Sequence, residues 1–415
     1  MSLSESRHGV WLDTDRVGTL HQRGDYTWFT LAEDYVRDPG RPVLGLVFEE
    51  NLAGRHASAL RLPPWFSNLL PEGPLRRWIA NDRGVSVDRE MELLAQVGHD
   101  LPGAVRVLPD YESPEVITWD TAAERTGTNL ASGEEPPSGW RFSLAGVALK
   151  FSMVRKGDRL VLPAYGEGGD WIVKLPDRVY PDVPRNEYTM MSLAAAVGID
   201  VPELRLVHRD KLDGLPPNIW PESEEWAYAV RRFDRGANRE LIHIEDLAQV
   251  RNVYPDKKYS GNFETVAALV YRRRDVAGLR ELARRLAFVV LISNGDAHLK
   301  NWSLIYRDRR SPTLSPVYDL VSTAVYQVGD TPDDLGLRFA GSRRFDRTSL
   351  ASFARLQQRL DARQADLPAV VAETVERVRA EWPKHVDLLG PNHALRSSIG
   401  TSIESRSITL LRNPP

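Results

Sequence analysis

The chain has 415 residues, 42% hydrophobic and 27% charged, enough for two or three domains with real cores on a prior of roughly 100 to 200 residues per domain. Lys plus Arg, 54, against Asp plus Glu, 57, leaves a net charge of -3, too balanced for a protein whose main work is coating nucleic acid, with local basic patches still open. No cysteine is present, which excludes disulfide scaffolding, thiol catalysis, cysteine-based zinc sites and iron–sulfur clusters and leaves His, carboxylate, hydroxyl and Lys chemistry.

The longest clean apolar run, residues 286–292, is far shorter than the roughly 20 residues of a bilayer-spanning helix. The first residues, MSLSESRHGVWLDTDR, lack the apolar stretch of a signal peptide. No membrane span and a cytoplasmic location are therefore expected. Between residues 9 and 108, strand-like VWLDT and TWFTL are followed by helix-like stretches at 75–80 and 89–97, a small α+β unit. The Ser, Thr, Glu, Gly and Pro composition up to residue 139, with the run SGEEPPSG, reads as a linker or long loop.

From residue 140 to 176, FSLAGVALKFSMV, RLVLPAY and WIVKLP are separated by KGD and by the GEGG run at 166–169, which predicts an antiparallel sheet with both runs as plain hairpin turns. Residues 186–197 predict a helix with an apolar face of Tyr188, Met191, Ala194 and Ala195 and a left-handed cap at Gly198. WAYAVRRFDR returns to strand. After residue 240 the pattern is mostly helical, including ELARRLAFVVLISN and a core stripe of Val371, Val375, Val378 and Trp382. From residue 392 no period is visible and a loosely held end is expected. The fold class predicted is α+β with a two-lobed, protein-kinase-like layout: an N-terminal subdomain at 1–110, a linker at 111–139, a sheet lobe at 140–238 and a helical lobe at 239–415.

The stretch Asn294-Gly295-Asp296-Ala297-His298-Leu299-Lys300-Asn301 lies between an apolar helix and the strand-like WSLIY. Asp296 and Asn301 are five apart, the spacing of a kinase catalytic loop, where the Asp orients the substrate hydroxyl and the Asn holds a metal ion. In LSPVYDLVS, Asp319 is placed at the end of a short strand. It either joins Asn301 as a hard oxygen ligand for Mg²⁺ or caps a helix beginning at Leu320. Lys174 sits inside the apolar WIVKLP, where an ammonium needs an anion. That anion would be nucleotide phosphate, with Glu187 as ion-pair partner, unless Lys174 faces solvent on an edge strand. Ser143, Leu144, Ala145 and Gly146 offer small residues for a phosphate loop, without the spacing between Gly146 and Lys150 of a Walker A motif. His298 reads as a metal ligand or as a structural histidine lacking nitrogen co-ligands nearby.

LPPWFSNLLPEG, LLAQVGHDLPGAVRV, FSLAGVALK, RNEYTMMSLAAAVGI, VRRFDR, IHIEDLAQV, KKYSG, ISNGDAHLKNWSL and SPVYDL follow one another along most of the chain. In that order they resemble the HipA family of bacterial serine/threonine kinases, the toxins of HipB–HipA toxin–antitoxin modules. The resemblance implies an ATP-dependent protein kinase acting as a growth-inhibiting toxin, with Asp296 as catalytic base, Asn301 and Asp319 as Mg²⁺ ligands and Lys174 on the ATP phosphates. It further implies that the loop with Ala145, Gly146, Val147 and Lys150 covers the phosphates and that Arg231 and Phe233 lie at the adenine crossover. His298 and Tyr318 would line the nucleotide site, and Ser143 would be the inhibitory autophosphorylation position. The implied partners are a HipB-like antitoxin, operator DNA through that complex, and a protein substrate of the translation machinery such as an aminoacyl-tRNA synthetase. Two features depart from the family pattern: Val147, Ala148 and Leu149 are all apolar, and Arg231 stands where the family carries Glu. The rival readings are a small-molecule phosphotransferase, since the Asn-Gly-Asp step to Asn also resembles aminoglycoside and choline kinases, and a pseudokinase scaffold for an antitoxin–DNA complex. Retention of Lys174, Asp296, Asn301 and Asp319 argues against the scaffold.

Overall fold

The computed structural model describes residues 5–111, 149–163, 168–215, 219–221, 223–326 and 334–412. The N-terminal unit is a five-stranded sheet of β1 (Glu5–Leu12), β2 (Asp15–Arg23), β3 (Tyr26–Leu31), β4 (His56–Ala59) and β5 (Val105–Pro109), in the order β4-β3-β2-β1-β5. Alternation places Val10, Leu12, Leu20 and Phe29 in the core, and Val17 joins them at the register shift opposite Val10 and Trp11. The helices Gly73–Arg83 and Glu90–Val97 form where the sequence predicts them, the first ending on Gly84 at φ +64°.

The second sheet contains β6 (Lys150–Lys156), β7 (Arg159–Val161), β8 (Trp171–Lys174), β9 (Leu204–His208), β10 (Leu212–Asp213) and β11 (Trp226–Arg231), ordered β10-β7-β6-β8-β11-β9. Its β10–β7 pair is parallel, so the sheet is mixed rather than wholly antiparallel. KGD forms a tight hairpin, Lys156 pairing with Arg159 around Gly157 at φ +65°. GEGG does not turn a hairpin. Strand β6 pairs with β7 on one side and β8 on the other, so the connection between β7 and β8 crosses β6. Within that run Gly166 and Glu167 lie outside the described residues. Gly169 approaches β6 so closely that a Cβ there would lie 2.3 Å from Ser152 Oγ.

Period-two alternation gives this sheet two partners. Phe151, Met153, Trp171, Val173, Ala227 and Ala229 join the core of the N-terminal unit. Tyr228 and Val230 face the helical side, where the helix Val183–Ala196 packs Met190, Met191, Leu193 and Ala194. Ala195, expected on the apolar face, is exposed, because the helix is rotated so that Met190 and Leu193 point inward. Gly198 has the expected left-handed φ, +87°.

The remaining lobe holds the helices Phe263–Tyr271, Val276–Leu291, Leu350–Arg359, Leu367–His385 and His393–Leu411. It contains more strand than its sequence predicts: β12 (His243–Asp246), β13 (Ser303–Tyr306) and β14 (Thr313–Leu314) form one sheet, β15 (Asp334–Phe339) and β16 (Ser342–Arg344) another. Val371, Val375 and Val378 are buried as expected. The expected loose end is instead a 19-residue helix, His393–Leu411, burying Leu395, Ile399, Ile403, Ser407 and Leu410. Asn392 starts it, its side chain accepting from Leu395 N at 3.1 Å. About one inward residue per turn, one of them a serine, is too narrow a stripe to stand out as a period.

Candidate active site

Strand β8 lies between β6 and β11, so Lys174 belongs to the middle of the sheet and the edge-strand alternative fails. Its ammonium donates to Glu187 Oε1 at 2.5 Å and to Asp319 Oδ1. Glu187 comes from the helix Val183–Ala196. Asp319 comes from a segment with neither strand nor helix around it, where its φ of +57° is of the left-handed kind that Asp tolerates. Both sequence expectations for its setting, a strand end and a helix cap, are therefore overturned: the carboxylate is committed to Lys174.

Burial opposes every charge in this group, and the balance differs from residue to residue. For Lys174, Asp319 and Glu187 outweigh burial and raise the pKa. For Asp319, burial is outweighed by Lys174 and Lys150, and its pKa falls to about 2. For Glu187, burial prevails and pushes the pKa up to about 7, since Lys174 is shared with the more acidic Asp319. Lys150, paired opposite Lys174 at the start of β6, is pulled down by burial to about 8. A cluster of this composition holds cationic groups ready for an incoming polyanion.

The helix Val276–Leu291 runs into Ser293, at φ +49°, and the turn beyond it is pinned by its own polar groups. Gly295 N donates to Thr323 Oγ1 at 2.7 Å, and Asp296 N to Asn294 Oδ1 at 3.0 Å. A single 3₁₀ turn at Leu299–Asn301 follows. Asn301 Nδ2 donates to the Asp296 carbonyl at 2.8 Å, which fixes the spacing of the pair and leaves the Asn301 amide oxygen as an acceptor. The Asp296 carboxylate is about half exposed, 51%, and accepts a hydrogen bond from the Tyr259 hydroxyl. His298 Nε2 is 3.9 Å from it. Burial draws the His298 pKa down to about 4, so this imidazole is neutral near pH 7. Among the described residues no group of three or more His, Asp or Glu side chains is placed to hold a metal ion, which leaves His298 without metal co-ligands of that kind.

Lys150, Lys174, Glu187, Arg231, Phe233, Asp296, His298, Asn301, Tyr318 and Asp319 all line one cleft of about 660 Å³ between the sheet and the helical lobe. Its apolar wall includes Leu149, Ile172, Ile219, Tyr228 and Val230. Tyr318 donates to the Lys300 carbonyl at 2.8 Å, and its ring centroid lies 5.7 Å from that of Phe233. The predicted positions Ser143, Ala145, Gly146 and Val147 lie outside the described residues. Within VRRFDR, Arg231, Arg232, Phe233 and Asp234 all border the cleft, and Arg232 and Asp234 are buried and bonded to each other, Arg232 also to Asp100 and Asp234 to Gly103 N. Sequence reasoning missed Tyr259, Glu72, Lys258 and Lys300, although KKYSG and LLPEG stand out as motifs.

Comparison with known proteins bears on the family and the fold. Residues 8–108 match the HipA N-terminal domain and residues 142–382 match the HipA-like C-terminal domain. The chain is 44% identical over 383 residues to "Putative kinase Y4dM" of Sinorhizobium fredii, covering 90% of each. It is 29% identical over 295 residues, 63% of each, to the "Serine/threonine-protein kinase toxin HipA" of Shewanella oneidensis. In fold it is similar to a solved Shewanella oneidensis toxin–antitoxin complex of HipA, HipB and operator DNA, with a TM-score of 0.73, 21% identity and 97% of each chain covered. No helix among the described residues is long and apolar enough to cross a membrane.

Proposed function

The chain belongs to the HipA family of kinases, and from that premise we propose that it is an ATP- and Mg²⁺-dependent serine/threonine protein kinase. It acts as a growth-inhibiting toxin, with a protein of the translation machinery as target. The observation that carries the reading is the Lys174–Asp319–Glu187 cluster sharing one cleft with Asp296 and Asn301. ATP lies in that cleft, its phosphates toward Lys174 and Lys150 and its base toward Arg231, Phe233 and Tyr318. Asp296 orients the attacking hydroxyl and takes up its proton as the bond to the γ-phosphorus forms and the bond from that phosphorus to the β–γ bridging oxygen breaks, with ADP as the leaving group.

Asn301 and Asp319 would hold Mg²⁺. The Asn301 amide oxygen and a carboxylate kept ionised at about pKa 2 are the hard donors that this ion prefers. When bound, it supplies charge neutralisation for the phosphates. In this reading residues 1–110 and 239–415 flank the ATP-binding lobe at 140–238, with 111–139 as the linker. A phosphate on Ser143 would add roughly -1.5 to -2 charge beside the nucleotide phosphates and repel ATP, an inhibitory autophosphorylation. A HipB-like antitoxin and operator DNA are the proposed partners, by analogy with the Shewanella complex.

Incubation of the purified chain with Mg²⁺ and γ-labelled ATP tests the proposal. Asp296→Asn is expected to lower label transfer by about 10²–10⁴-fold, the usual contribution of a positioned general base. Undiminished transfer would remove Asp296 from the mechanism, and label passing to sugars or amines in preference to protein would favour a small-molecule phosphotransferase.

A further inference from the structure

Glu72 stands at the N-terminal boundary of the helix Gly73–Arg83, in the N-terminal unit, yet its carboxylate lines the same cleft as Asp296. It accepts from Lys258 Nζ at Oε2, 2.9 Å, and lies 3.0 Å from Lys300 Nζ at Oε1. Both lysines are buried, at 8% and 7% exposure, and both are attached to the loop that carries Asp296 and Asn301. Lys300 is the residue before Asn301 in the 3₁₀ turn. The carbonyl of Lys258 accepts from Leu299 N at 3.0 Å. Lys300 Nζ also donates to the Asn68 carbonyl at 2.9 Å and lies 3.8 Å from Asp246 Oδ2.

We propose that Glu72 is a positioning residue for phosphoryl transfer: one carboxylate of the N-terminal unit clamps Lys300 within the Asp296–Asn301 loop and Lys258 in the segment bonded to it, and so sets the loop's place in the cleft. The proposal rests on the kinase reading above and adds a part to it. Glu72, Asp246, Lys258 and Lys300 form a neutral set, and the two lysines pull the Glu72 pKa down to about 2 against the effect of burial. Without the Glu72 charge, Lys258 loses the carboxylate that accepts from it, and Lys300 keeps the Asn68 carbonyl and Asp246 at 3.8 Å. The other anionic side chains lining the cleft are Asp177, Glu187, Asp234, Asp296 and Asp319, joined by the phosphates of a bound nucleotide. A lysine that swings to any of these drags the 3₁₀ turn with it, and the distance between Asp296 and the attacking hydroxyl changes. The N-terminal unit is thereby part of the catalytic apparatus, acting through Lys258 and Lys300 without touching the reacting atoms.

Glu72→Gln preserves shape and removes the charge. In the full chain we expect kcat for phosphate transfer from Mg·ATP to fall by about 10²-fold, the scale of a 1 Å misplacement. The Kd of a non-hydrolysable ATP analogue should change less than about threefold, since the nucleotide's own contacts remain. Amide hydrogen exchange should accelerate at His298, Leu299 and Asn301 and stay unchanged in β2 and the helix Val183–Ala196. Unchanged exchange in the loop, or faster exchange throughout the chain, would overturn the proposal. So would a kcat within twofold of wild type. If Glu72→Gln does not fold, Glu72→Asp keeps the charge and shortens the reach, and the same outcomes apply to it. A wild-type chain that transfers no phosphate would sink the kinase reading, while the exchange comparison would still decide whether Glu72 holds the loop.

Discussion

Asp319→Ala is expected to cut phosphate transfer by about 10²–10³-fold, the loss seen when one preorganised charged or donor group is removed from a reacting site. Asp319 has two tasks. One carboxylate oxygen fixes Lys174, and in the kinase reading proposed above the carboxylate would also serve as a hard ligand for a divalent cation. Its removal leaves Lys174 bonded to Glu187 at 2.5 Å, so the buried ammonium keeps a partner. Glu187 in turn no longer shares that ammonium with a stronger acid, and its raised pKa should fall toward the ordinary carboxylate range. The stability loss should therefore stay below the roughly 3–5 kcal/mol that follows when a buried ion pair loses one member outright. Label transfer and a denaturation curve on the same sample separate the two effects. Transfer within twofold of wild type would dismiss Asp319 as a ligand. An equally large loss with Asp319→Asn, which keeps one oxygen but not the charge, would assign the effect to charge.

The parts of this site legible in the sequence are those whose chemistry is local. Lys174 in WIVKLP announced itself because an ammonium in an apolar strand must be paired, and the five-residue step from Asp296 to Asn301 is a fixed geometric unit. The backbone around Asp319 was misread: a residue at φ +57° gives no periodic signal, and SPVYD looks like strand because its apolar residues are next to one another. The sheet order was illegible for another reason, since KGD and GEGG are equally good turns and only the β6 pairings decide which of them closes a hairpin. Glu72 was out of reach because its partner Lys258 is 186 positions away, and two lysines with one glutamate carry no spacing rule. The terminal helix His393–Leu411 was missed because its polar residues outnumber the inward ones.

The two buried arginines of VRRFDR, Arg232 and Arg235, lead to the second large expected effect, Asp100→Ala, which should destabilise the protein by about 3–5 kcal/mol. Asp100 belongs to the N-terminal unit and is buried against the end of β11. Its Oδ1 accepts from Arg232 Nη1 at 2.9 Å and from Arg235 Nη2 at 2.8 Å. Asp234 takes Arg232 in a two-pronged bond at 2.9 and 2.8 Å and also accepts from Gly103 N at 2.8 Å. All four side chains are at most 7% exposed, and their charges cancel. Removing Asp100 leaves two buried guanidinium groups to one carboxylate, Asp234. Burial works against both carboxylates, but the arginines outweigh it and hold both pKa values below the ordinary aspartate range. The folded state therefore binds fewer protons than the unfolded chain in acid. The contribution of the cluster is complete above the unfolded value of about pH 3.9 and is lost as pH falls through the lowered values. Urea denaturation at pH 7 should show the full loss in Asp100→Ala, and the gap to wild type should narrow below pH 4. A difference under about 1 kcal/mol at pH 7 would mean that water reaches the arginines. Because Arg232 lies between Arg231 and Phe233, the same variant should weaken binding of the ATP analogue: the segment proposed to face adenine is held by Asp100 and Gly103 of the N-terminal unit.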